Sequence, residues 1–193
     1  MITFSLNPVA GQVTRPTVRS CVESATGQSR TTEGSAPVSG ELGGVDLSSI
    51  QRKIHSDVTA QGWSWIWVFD PAAERPPFAY SIGFGSSFDH PDVVVAGLPE
   101  ETSEGVLASV QAMLAEGIAY GDGDTSSDIL EGFDVQFRAI PQDVSISNLA
   151  QASIFYGERP FAALQLFWPD GHGNFPGEEN APAWLSDRQA LSL

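Results

Sequence analysis

The stretch GWSWIWVFDPAAERPPFAYSIGFGSSFDHPDVVVAGLP, Gly62–Pro99, decides the fold. Trp63, Trp65 and Trp67 alternate with Ser64, Ile66 and Val68. That period of two predicts a strand buried on both faces, with its aromatic side chains on one of them. Asp70-Pro71 turns the chain. Pro77–Phe84 then reads as a second strand, antiparallel to the first, and Asp92–Gly97 as a third. Gaps of hairpin length favour antiparallel or mixed pairing. The apolar runs end in small clusters of Gly, Pro, His and Asp, the pattern of a sheet whose loops hold an organised surface or pocket.

Upstream, DLSSIQRKIHSDVTAQG carries Leu47, Ile50, Ile54 and Val58 at helical spacing, with Asp46 as N-cap and Gly62 as the stop. Downstream, Pro99 starts a second helix whose buried stripe is Val106, Leu107, Val110, Met113 and Leu114, ending at Gly117. GDGDTSSD reads as a loop, and Val135–Ile140 and Phe161–Trp168 as further strands. A short helix around Asn148–Tyr156 lies between those two strands. The fold class is α+β: one domain over residues 45–193, with a mixed or mainly antiparallel sheet and about three helices. Residues 1–44 are rich in Thr, Ser, Gly and Pro without periodicity and read as a disordered leader.

The formal net charge is −15, and three Arg balance three Glu in residues 1–45, so the excess lies entirely beyond them. Between Arg75 and Arg138 stand eleven Asp or Glu and no Lys or Arg. Such a field repels phosphate backbones and argues against direct nucleic-acid binding. The plainer account is a solvated acidic surface; the sharper one is attraction of a basic protein. Cys21 is the only cysteine, so an internal disulfide is excluded. No apolar run has the length of a membrane span, and no signal-peptide pattern opens the chain, so a cytoplasmic location is expected.

At Gly62-Trp63, PPFAYSIGF (Pro76–Phe84), HPDVVVAGLP (His90–Pro99), Tyr156-Gly157 and LQLFWPDGHGNFP (Leu164–Pro176), the chain resembles a bacterial family known as domain of unknown function 4262. The resemblance spans Asp46 to about residue 178 and departs from the family pattern at Gly177, where an aromatic residue is expected. It implies a cytoplasmic α+β domain and marks loops to inspect. No activity comes with it.

Several fragments of known chemistry are incomplete. Trp168-Pro169-Asp170 has the letters of a tyrosine-phosphatase acid loop, but Cys21 has Gly27, not Arg, six positions on. Ser81 lacks the first glycine of a Gly-x-Ser-x-Gly elbow. Asp122, Asp124, Ser126 and Asp128 begin like a calcium loop, yet Ser127 and Phe133 stand where glycine and glutamate are required. SIGFGSS lacks the P-loop lysine.

No catalytic constellation is complete, and the leading expectation is a non-catalytic ligand- or protein-binding module. Its site is expected where the Tyr80–Gly85, Phe88–Pro91 and Trp168–Phe175 loops converge, with Tyr80, Ser81, His90, Trp168, Asp170 and His172 as candidate residues. The alternative is a metal-assisted hydrolase with a divalent metal held by His90, Asp170 and His172, ligand types that suit zinc, iron or manganese. Against it stand ordinary structural uses: His90 closing a loop, Asp170 in a Pro-Asp-Gly turn, and aromatic side chains filling a core. A third expectation is an acidic inhibitor or immunity-type protein masking a basic partner. The ligand is unknown: a small molecule or a basic protein.

Overall fold

In the computed structural model, residues 47–72 and 74–191 are described; the leader, Cys21 and the Asp46 cap lie outside them. Six strands form one sheet: β1 (Ser64–Val68), β2 (Phe78–Ile82), β3 (Asp92–Ala96), β4 (Thr125–Leu130), β5 (Phe133–Ile140) and β6 (Ala163–Phe167). Their order is β1-β2-β3-β6-β5-β4. Every neighbouring pair is antiparallel except β3 and β6, which run parallel with Asp92 opposite Ala163 and Val95 opposite Leu166. The sheet is therefore mixed, within the expected class: the short gaps give the antiparallel β1-β2-β3 pairs, and the parallel pair joins strands far apart in sequence.

Helices cover both faces. On one, Ile54 of α1 (Leu47–Gln61) and Ala152 and Tyr156 of α5 (Ala150–Tyr156) pack on Tyr80, Ile82, Val94 and Ala163. On the other, the predicted stripe of α3 (Glu100–Ala115), Val106 to Leu114, packs on Ala79, Val93, Val95, Leu164 and Leu166. The central strand β3 is buried on both sides, which its unbroken Val-Val-Val run requires.

Three expectations are corrected. β1 is an edge strand, and Trp65, Ile66, Trp67 and Val68 are only half-buried. Its tryptophans do share one face, toward α3. The TSSD of the expected loop belongs to β4, the opposite edge. Helices number six among the described residues, not about three. α2 (Phe84–Ser87), α4 (Gln142–Asn148) and α6 (Ala183–Gln189) are too short to show a 3.6-residue period, and α4 and α6 each simply follow a proline, Pro141 and Pro182.

Candidate functional site

Because β3 and β6 are parallel, the start of one lies beside the start of the other. His90 precedes β3, whereas Trp168, Asp170 and His172 follow β6. These residues therefore occupy opposite ends of the sheet, separated by a five-residue strand, about 17 Å at 3.3 Å per residue. The Nε1–H of Trp168 donates to the Ala96 carbonyl (2.9 Å), at the far end of β3 from His90. The expected convergence of three loops is corrected: two meet, and the third closes the other end. The shared metal site of His90, Asp170 and His172 falls with it. Among the described residues, no three His, Cys, Asp or Glu are grouped to hold a metal ion.

The far end is a structural closure. Asp170 Oδ1 accepts from the backbone N–H of His172 (2.8 Å) and of Asn174 (2.9 Å), and Asn174 Nδ2 donates to both its oxygens. Those bonds, the Asn174 side chain first, hold its carboxyl below the usual carboxylate range. His172 is exposed beside it. Gln189 of α6 bonds both the N–H and the carbonyl of Trp168, which is buried.

The near end holds Ser81 and His90, with Tyr80 in the neighbouring strand, and Ser81 bonds a residue not anticipated from sequence, Asp92. Its carboxylate is buried and fully engaged. Oδ1 accepts from Ser81 Oγ (2.9 Å) and from the Phe84 N–H (3.1 Å), and Oδ2 accepts from the Tyr156 hydroxyl (2.6 Å). Burial pushes the Asp92 carboxyl up to about 6 despite those donors. Burial, and then the Asp92 charge, drive the Tyr156 phenol well above its ordinary range. Tyr156 in turn accepts from the Gly83 N–H (3.0 Å), where a left-handed φ of 107° admits glycine and leaves no room for a Cβ against Val58. Ser81 Oγ also accepts from the Val93 N–H (2.8 Å).

His90 is buried and neutral. Its Nε2 accepts from the Tyr120 N–H (3.0 Å), so the ring proton sits on Nδ1 and is donated to the Pro91 carbonyl (2.7 Å). Burial lowers its affinity for a second proton. The Tyr80 hydroxyl accepts from the Gln151 N–H (3.2 Å) and anchors α5 over the sheet. Asp92 had one signal in the sequence: it is the only charged residue opening a run that is otherwise buried and apolar.

Over this network lies a cleft of about 440 Å³ lined by Gly85, Asp89, Tyr156, Arg159 and Phe161, among others. Two further clefts are of similar size, about 410 and 430 Å³. One of these is lined in part by the buried, mutually bonded Gln165 and Gln189; the first-named meets the Asp92 network through Tyr156 and carries two opposite charges, Asp89 and Arg159, on its lining.

Residues 57–182 match the model of the family described as Domain of unknown function (DUF4262). The chain belongs to this family. No curated protein and no solved structure matches it. The family match takes in the Asp92 network and the cleft, and stops where α6 begins. No helix among the described residues is long and apolar enough to cross a membrane.

Proposed function

We propose that this domain of the family is a non-catalytic binding module for a small ligand, seated in the cleft over Tyr156 and Phe161. The observation that carries the reading is the fixed position of Tyr156 on the lining of the cleft. Asp92 holds the Tyr156 hydroxyl in place through one buried network that also ties down Ser81 and the start of α2, whose Gly85 and Ser86 line the cleft as well. A site whose geometry is fixed before binding loses little freedom when it binds.

The same bonds favour binding over catalysis. A nucleophilic serine needs a base beside it. Ser81 has one, the Asp92 carboxylate, but its hydroxyl is buried away from the cleft and already accepts from the Val93 N–H, and both His90 nitrogens serve the backbone.

Gly85 offers the test. A Cβ there would stand 3.4 Å from the Tyr156 hydroxyl, in ordinary contact, so a longer side chain fills the cleft without displacing Tyr156. Ligand-observed NMR of a small-molecule library should find binders to the wild type that Gly85→Leu loses while its melting temperature stays close to wild type. Binders indifferent to Gly85→Leu would refute the location. Turnover abolished by a single substitution would refute the non-catalytic claim.

A further inference from the structure

Two opposite charges flank this cleft without closing on each other. Arg159 and Asp89 both line it and both are exposed. Neither has an ion-pair partner among the described residues, where Lys53–Asp57 is such a pair. Arg159 is held in place: its Nε–H donates to the Tyr156 carbonyl (3.3 Å), and its guanidinium carbon stands 5.9 Å from the centre of the Tyr156 ring. That arrangement uses one edge and one face of the guanidinium and leaves the terminal Nη groups for an anion. Asp89 is the only non-glycine residue with a positive φ (53°) among the described residues, a conformation that aspartate tolerates better than most side chains but that still costs energy. Tyr156 and Phe161, stacked with centroids 5.1 Å apart and planes within 16°, form the aromatic wall of the same cleft.

Resting on the binding reading above, we infer that the ligand is a small zwitterion with an aromatic ring, of the aromatic amino-acid type. Its carboxylate meets Arg159, its ammonium meets Asp89, and its ring lies against Tyr156 and Phe161. The chain's charge of −15 decides for the zwitterion over a free anion. A long-range negative field opposes the approach of a net anion but not that of a ligand without net charge. A cleft of about 440 Å³ has room for one such molecule.

The probes are L-phenylalanine, L-phenylalaninamide (no carboxylate), N-acetyl-L-phenylalanine (no ammonium) and glycine (no ring), titrated against the full chain by NMR. Phenylalanine should bind at least about tenfold more tightly than each of the others, tenfold being about 1.4 kcal/mol. Arg159→Gln should weaken phenylalanine about tenfold and leave phenylalaninamide unchanged. Asp89→Asn, which suits the left-handed backbone, should weaken phenylalanine and leave the N-acetyl compound unchanged. Equal binding of phenylalanine and either blocked derivative overturns the zwitterion assignment while the cleft reading stands. Failure of all four probes also overturns the assignment, and the cleft reading is then judged separately by the library screen with Gly85→Leu.

Discussion

Asp92 shows how one buried carboxylate organises a loop, a helix start and a distant tyrosine. Asp92→Ala removes the acceptor for Ser81 Oγ, the Phe84 N–H and the Tyr156 hydroxyl together. Three stranded donors should cost roughly 3 kcal/mol or more in urea unfolding. Asp92→Asn keeps an acceptor oxygen and should cost less, with a defined pH dependence. The folded-state pKa of Asp92, about 6, lies above its ordinary 3.8, so the native state favours the protonated form. Its contribution is fully present below the ordinary value and is lost as pH rises to about 6. The stability of Asp92→Asn relative to wild type should therefore climb across that window and then level off. A flat difference would show that the carboxyl titrates normally. His90 acts in the opposite sense: its pKa is lowered, so stability is present above its ordinary 6.5 and falls as pH drops below it. Trp168 is a third residue-scale test. It is 3% exposed and its indole N–H is bonded to Ala96, so Trp168→Ala should cost about 3–5 kcal/mol by calorimetry or denaturant unfolding.

At the scale of elements, α6 illustrates a helix held by a few specific contacts. Leu185 enters the α3-side core, Gln189 bonds Gln165 and Trp168, and the Arg188 backbone lies against Gly97. A Cβ at Gly97 would come within 2.3 Å of the Arg188 carbonyl oxygen, at a φ of 79° that already favours glycine. Gly97→Ala should displace α6, lower stability by about 1–3 kcal/mol, and open the helix to limited proteolysis. Unchanged protease resistance would mean that α6 shifts without detaching. The near-end cleft lies at the other end of β3, so this variant should leave ligand binding intact.

For the whole molecule, charge is the dominant long-range term. Glu100, Glu101, Glu104, Glu116, Asp122, Asp124, Asp128, Glu131 and Asp134 are all exposed, the solvated face anticipated from the sequence. Their mutual repulsion opposes compaction and is screened over about 10 Å at 0.1 M salt. The melting temperature should rise as sodium chloride is increased to about 0.5 M, well past that screening range. A fall on adding salt would show that attractive pairs outweigh the repulsion. Asp122 and Asp124 also cap backbone groups, accepting from Ala139 and Gly121, so part of the acidic face is built into the turn before β4.

The sequence by itself determined the elements whose period is longer than their neighbours' influence. The α1 positions Ile50, Ile54 and Val58, the α3 stripe and the Val-rich β3 were legible because burial repeats every 3.6 or 2 residues along them. The family resemblance was legible for the same reason, in loops and strands of fixed spacing. Tertiary structure alone decided which loops meet. Whether His90 faces Asp170 or lies a strand's length away depends on β3 and β6 running parallel, and no local pattern records the direction of a partner as distant in sequence as Ala163 is from Asp92. Tertiary structure also gave Asp92 its role. A carboxylate at the start of a strand looks like any turn residue until Ser81, Phe84 and Tyr156 close around it, and the energy of that enclosure exists only where water has been excluded.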